Sequence, residues 1–150
     1  MRLTPHFTLD ELTASGTAGR LAIDNTPPDY VLPNLQRLAN SLEQVRELLG
    51  NMPIHILSGY RCPALNAAVK GAPHSWHMGG LAADFICPAY GPPRDICKRL
   101  LAVGLPFDQL IFEGNWVHWA IPRDPAKPLK QVLTAKFTEF GARYSKGIYA

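Results

Sequence analysis

A chain of 150 residues holds one domain with a real core and is too short for two ordinary ones. With 47% hydrophobic and 18% charged residues it reads as globular rather than disordered, and 14 prolines announce long loops around a compact centre. The formal charge of +3 is spread along the sequence without a Lys/Arg block, which speaks against nucleic acid as a partner.

No segment supplies the run of about 18 apolar residues that a membrane span needs, and the opening "MRLTPHFTLDEL" lacks the apolar core of a signal peptide. The expectation is a protein synthesised in the cytoplasm, soluble and monomeric. Cys62, Cys87 and Cys97 are odd in number and irregular in spacing, so they read as free thiols rather than a disulfide framework or a zinc knuckle.

In chain order, "FTLDELTAS" has Thr8 and Glu11 at the spacing of a capping box and predicts a short helix docked at the domain edge. After the loop "GRLAIDNTPPD", Val31, Leu35, Leu38, Leu42, Val45 and Leu48/Leu49 recur at helical spacing, which makes 30–49 the long core helix, stopped at Gly50. Ile54 to Leu57 reads as a buried strand ending in a Ser58-Gly59 turn, and Pro63 opens a short helix that Gly71 follows. Residues 82–87 predict a second strand. "PPRDICKRLLAVG" predicts a helix with Ile96, Leu100 and Leu101 inward. "FDQLIFE", "GN" and "WVHWAI" read as strand, tight turn and strand, and "QVLTAKF" as a last strand.

Helices first and mostly antiparallel strands afterwards, with one helix between them, point to an α+β domain over residues 1–150. The sequence contains neither a Gly-rich phosphate loop nor a G-x-S-x-G element, so nucleotide and serine-hydrolase chemistry lose support.

The informative stretch is "APHSWHMGGLAADFICP", residues 72–88. His77 and Asp84 stand seven positions apart with Gly79, Gly80, Ala82 and Ala83 between them, so a turn can fold back and let both side chains meet one ion. An imidazole and a carboxylate suit Zn²⁺, which takes such ligands at about 2.0–2.2 Å. A catalytic ion needs a third protein ligand, and His118 is the best candidate. It sits in the apolar "WVHWAI", where an unpaired imidazole would be costly.

The run "SWHMGGLAAD" fits Ser-x-His-x-x-Gly-x-Ala-x-Asp at Ser75, His77, Gly80, Ala82 and Asp84, and so resembles the signature of the zinc D-alanyl-D-alanine carboxypeptidase family, peptidase family M15. "LSGYRCPALN" resembles that family's Ser-Gly-Tyr-Arg element, and "WVHW" looks like the strand bearing its last metal histidine. "HFTLDEL" and "IDNTPP" are similar to the branch common in bacteriophages and prophages. The likeness covers residues 6–121 and leaves 122–150 as a C-terminal extension.

The resemblance implies a small sheet flanked by helices as in the Hedgehog and DD-peptidase folds, with His77, Asp84 and His118 as Zn²⁺ ligands and Arg61 steadying a substrate carbonyl or carboxylate. Ser75, His74 and Trp116 are candidate substrate contacts. The implied activity is hydrolysis of a peptide bond in bacterial peptidoglycan stem peptides, either D-Ala-D-Ala or L-Ala-D-Glu, at the cell wall or periplasm after release by a phage lysis system.

The sequence departs from the family pattern at one important position. Many members carry an acid three residues before the final histidine, where this chain has Asn115, which cannot act as a general base. A two-residue Gly114-Asn115 turn would pair Phe112 with Val117 and Ile111 with His118. Glu113 would then share a face with His118 as a diagonal neighbour roughly 7–8 Å away, and Asp108 would fall on the opposite face. Glu113 is therefore the expected base. The alternative is a zinc-containing wall-binding or phage structural module without catalysis.

Overall fold

The computed structural model describes residues 1–148. The chain opens with a small ribbon of β1 (Arg2–Thr4) and β2 (Phe7–Thr8), followed by α1 (Leu9–Thr13) and α2 (Gly16–Arg20). The capping box is formed: Glu11 N–H donates to Thr8 Oγ1 at 3.1 Å, and Thr8 N–H donates to Glu11 Oε1 at 3.1 Å. Buried Leu12 anchors α1.

Helix α3 (Leu32–Leu48) is entered through a single 3₁₀ turn, Asp29–Val31. Its apolar stripe is buried as the spacing requires, through Leu35, Leu38, Ala39, Leu42 and Val45. Each buried leucine contributes roughly 1.5–3 kcal/mol, so this stripe supplies a substantial part of the core's stabilisation.

Next come β3 (His55–Ser58), α4 (Pro63–Ala68), β4 (Ala82–Ile86), α5 (Pro93–Val103), β5 (Gln109–Phe112), β6 (Val117–Ala120), β7 (Gln131–Thr138) and β8 (Gly141–Lys146). The last six strands form one sheet in the order β3-β4-β6-β5-β7-β8, antiparallel except for the parallel pair β5–β7. The domain is α+β, with Ala83, Phe85, Leu110, Val117 and Trp119 in the same core cluster as the α3 stripe and with Ile96, Cys97 and Leu100 of α5.

Three details differ from the sequence reading. Strand β3 is half exposed rather than buried, because it is an edge strand with β4 as its single neighbour, and Leu57 faces outward. Leu101 of α5 is 42% exposed, and Cys97 takes the inward position instead. The last strand is not alone: β8 returns along it, turning at Gly141 with φ +106°. All three cysteines are free, and Cys62 caps α4 by accepting from Leu65 N–H. Among the described residues no helix is long and apolar enough to cross a membrane.

Candidate metal centre

Asp84 and His118 stand directly opposite one another in the antiparallel β4–β6 pair, and Ile111 stands opposite His118 in β5. Because side chains alternate along a strand, these three share one face while Phe85, Val117, Trp119 and Leu110 point into the core. His77 arrives from outside the sheet, on a single 3₁₀ turn over Trp76–Gly79. Ser75 caps that turn by accepting from His77 N–H at 3.2 Å.

The small residues of the stretch now have a physical reason. Gly80 closes the turn at φ +69°, and a Cβ there would lie 2.7 Å from Val31 Cγ1 and 3.0 Å from Leu35 Cγ. Glycine alone lets the turn lie flat on α3, where Asn34 Nδ2 also donates to the Gly79 carbonyl at 3.0 Å. Arg61 N–H donates to the His77 carbonyl at 3.0 Å, so the Ser-Gly-Tyr-Arg segment and the histidine turn are bonded backbone to backbone. Gly59 has the same need for closeness, since a Cβ would collide with the Leu12 carbonyl of α1.

His77, Asp84 and His118 are all buried, and each offers one ligand atom within 4.8 Å of the others. Their hydrogen bonds reveal which atoms face inward. His77 Nδ1 lies 2.7 Å from the Gly59 carbonyl, an acceptor only, so Nδ1 carries the proton and Nε2 turns a lone pair toward Asp84 Oδ1 at 3.4 Å. His118 Nε2 lies 2.9 Å from Gln109 Oε1, and Gln109 Nε2 donates onward to Gln131 Oε1 at 3.0 Å. That relay places the second proton on Nε2 and leaves the His118 Nδ1 lone pair facing Asp84 Oδ1 at 3.0 Å.

Three lone pairs therefore converge on one point, which is repulsive unless they share a cation. Two neutral imidazoles with their outer N–H groups fixed by acceptors, plus one carboxylate, match the donor set of a divalent transition ion such as Zn²⁺. Without a cation the alternative is a proton: burial would raise the Asp84 carboxyl, but imidazoles of His77 and His118 that were charged and donating toward it would outweigh burial and hold the group well below its ordinary range.

The hairpin register is the expected one: Phe112 pairs with Val117, Ile111 with His118, and Glu113 N–H donates to the Trp116 carbonyl at 3.0 Å. Glu113 consequently lines the same cleft as the three candidate ligands while staying only 9% exposed. Desolvation pushes its carboxyl up to about 7, against the opposing pull of His118, with Asp84 adding to the rise and Arg61 lowering it. Asn115 is exposed at the turn and does not line the cleft.

Arg61 lies behind Asp84 and on the cleft wall at once. Its Nη2 donates to Asp84 Oδ2 at 3.4 Å, and its Nε donates to Ser58 Oγ at 3.2 Å. Asp108 lies away from the cleft, as its parity requires, and is 1% exposed. It accepts from Trp76 Nε1 at 2.9 Å, Arg123 N–H at 2.9 Å and Leu129 N–H at 2.9 Å, tying the histidine turn to the loop that leads into β7.

The cleft has a volume of about 560 Å³. Its lining brings in the sequence candidates His74, Ser75 and Trp116, His74 being exposed at the rim. Arg123 braces this rim, with its guanidinium 3.6 Å from the Trp76 ring and a hydrogen bond to the His74 carbonyl. Sequence reasoning missed Gln109, Gln131 and Arg123, and it placed Asp108 off the cleft without finding its partners. A polar residue inside a strand or loop gives no signal of its partner until strand register is known.

A second missed residue type is the distant brace. Asn25, in the loop "IDNTPP", donates to the carbonyls of Thr13 and Tyr60 and accepts from Cys62 N–H, so it holds the segment bearing Arg61 from both sides.

Comparison with known proteins agrees with this geometry. No curated protein matches the chain. The family model described as Peptidase M15 matches residues 5–120, a span that contains both histidines, Asp84, Arg61 and Glu113. The chain belongs to the peptidase M15 family.

Proposed function

We propose that the protein is a zinc-dependent peptidase that hydrolyses a peptide bond in bacterial peptidoglycan stem peptides, serving a phage or prophage in wall lysis. The observation that carries the reading is the convergence of His77, Asp84 and His118 in one cleft with Glu113 and Arg61. Zn²⁺ held by the three ligands would supply Lewis acidity, polarising a carbonyl oxygen and making water a usable nucleophile near neutral pH.

The remaining chemistry falls to the chain. Glu113, as carboxylate, takes a proton from the attacking water and, as acid, returns it to the departing amine. A carboxyl pushed up to about 7 is suited to both halves of that exchange. Arg61 steadies Asp84 from behind and offers its remaining N–H donors to developing negative charge on the substrate oxygen. Gly59 and Gln109 hold the imidazole rings in the tautomers that the ligand role needs.

Mass spectrometry of purified muropeptides before and after incubation with zinc-loaded protein tests the proposal. New fragments are expected, and their mass distinguishes D-Ala-D-Ala from L-Ala-D-Glu cleavage. Stoichiometric zinc with no peptide released from any wall would leave the wall-binding or structural module in its place.

A further inference from the structure

The family-matched region ends at residue 120, yet the cleft continues into the C-terminal hairpin, where Leu133, Phe137, Ala142 and Tyr144 line it. Strand registers explain how. The parallel pairing of β5 with β7 sets Leu133 beside Ile111, so odd-numbered residues of β7 share the face that bears His118. The β7–β8 pairing then sets Tyr144 opposite Ala135 and Ala142 opposite Phe137, on that same face.

Carried one step past its last pair, the β5–β7 register brings Ala135 alongside Glu113. Glu113, Ala135 and Tyr144 thus occupy one row across three strands, a span of about 10 Å at the usual strand spacing. The middle position has only a methyl group, so nothing on it blocks a tyrosine side chain from reaching across. Tyr144 is 55% exposed, and its hydroxyl has no hydrogen-bond partner among the described residues. Burial, and then the charges of Glu113 and Asp84, push the phenol up, so it keeps its proton and acts as a donor. Beside it the rings of Trp116 and Phe137 meet at a tilt of 39° with centroids 5.8 Å apart and give the wall an apolar section.

We propose that Tyr144 is a substrate-binding residue whose hydroxyl donates to a backbone carbonyl oxygen of a peptide lying across the face that the ligand strands share with the β7–β8 hairpin. The inference rests on the peptidase reading above and adds to it a specificity wall outside the family-matched region.

The test is steady-state hydrolysis of purified muropeptides, together with calorimetric titration of the same muropeptides into zinc-loaded Glu113→Gln protein with and without Tyr144→Phe. Loss of one neutral hydrogen bond predicts a rise of about 3–10-fold in KM for Tyr144→Phe, with kcat within about twofold, and a matching rise in Kd in the titration. Tyr144→Ala, which also loses the ring, should exceed that rise. Zinc content and thermal midpoint should stay at the parent values. Unchanged KM and Kd in Tyr144→Phe would overturn the inference and leave the peptidase standing. A KM rise accompanied by loss of zinc or of thermal stability would reassign Tyr144 to a structural role and also overturn it. A parent that neither cleaves nor binds muropeptides removes the peptidase reading, and the inference falls with it.

Discussion

Strand β6 is buried along its whole length and β8 is exposed along all of its own, although both belong to the same six-stranded sheet. The difference follows from what backs them. Val117 and Trp119 of β6 pack into the core that α3 and α5 share, so His118 stands on a strand that cannot shift without opening that core. The hairpin β7–β8 contributes little to that core, with Val132 packed against it and buried Ala135 on the cleft face, and joins the sheet through β5 alone. A site of this kind separates two demands. Ligand geometry has to be rigid, while the wall that meets the substrate has to differ between substrates, and surface positions tolerate such change.

The largest expected effects probe the rigid half. His77→Ala and His118→Ala should each abolish tightly held zinc in elemental analysis of the purified protein, together with all hydrolysis. Retention of parental zinc in both variants would undo the ligand assignment and with it the contrast between a fixed centre and a variable wall.

Glu113→Gln comes next in size. It should keep zinc and fold while losing about 10²–10⁴-fold in turnover, read from muropeptide release at matched zinc occupancy. Turnover within a few fold of the parent would remove Glu113 from the chemistry.

A smaller effect lies at the junction of the two halves. Gln109→Ala breaks the relay that fixes the His118 ring, and should weaken zinc about 10–100-fold in competition with a chelator while leaving thermal stability of the metal-free protein nearly unchanged. Unaltered affinity would show that the strand alone sets the ring.

Asp108→Asn sharpens the comparison from the scaffold side. Its three acceptor contacts mean that one oxygen replaced by an NH₂ faces a donor it formerly satisfied, at a cost of about 1–3 kcal/mol in denaturant unfolding. Turnover per zinc ion at low temperature should stay within a few fold of the parent.

What was legible in the sequence divides along the same line. The His77–Asp84 spacing, the helical stripe of α3 and the Gly114-Asn115 turn are local patterns, and the turn length alone was enough to put Glu113 on the His118 face. The exposed side of β3 was misjudged because Ile54, Ile56 and Leu57 are apolar and outweigh His55 between them, and only the strand's place at the sheet edge shows that Leu57 faces outward. The cleft wall was invisible for a related reason. Gln131, Leu133 and Tyr144 gain meaning from the parallel pairing with β5, which no periodicity in 131–146 announces. Asp108 was correctly kept out of the cleft, but its bonds to Arg123 and Leu129 depend on a loop path that proline content alone does not trace.

That parallel pairing also bears on the order in which the chain assembles. Strands β5 and β6 meet across a turn of Gly114 and Asn115, a closure on the microsecond scale, whereas Gln109 and Gln131 are 22 positions apart and must wait for the intervening loop to settle. The entropy of closing a loop grows with its length, so the hairpin bearing His118 forms early and β7–β8 docks onto it afterwards. By the same measure the pairing that joins Asp84 to His118 spans 34 positions, so the three candidate ligands come together no earlier than the cleft wall that faces the substrate.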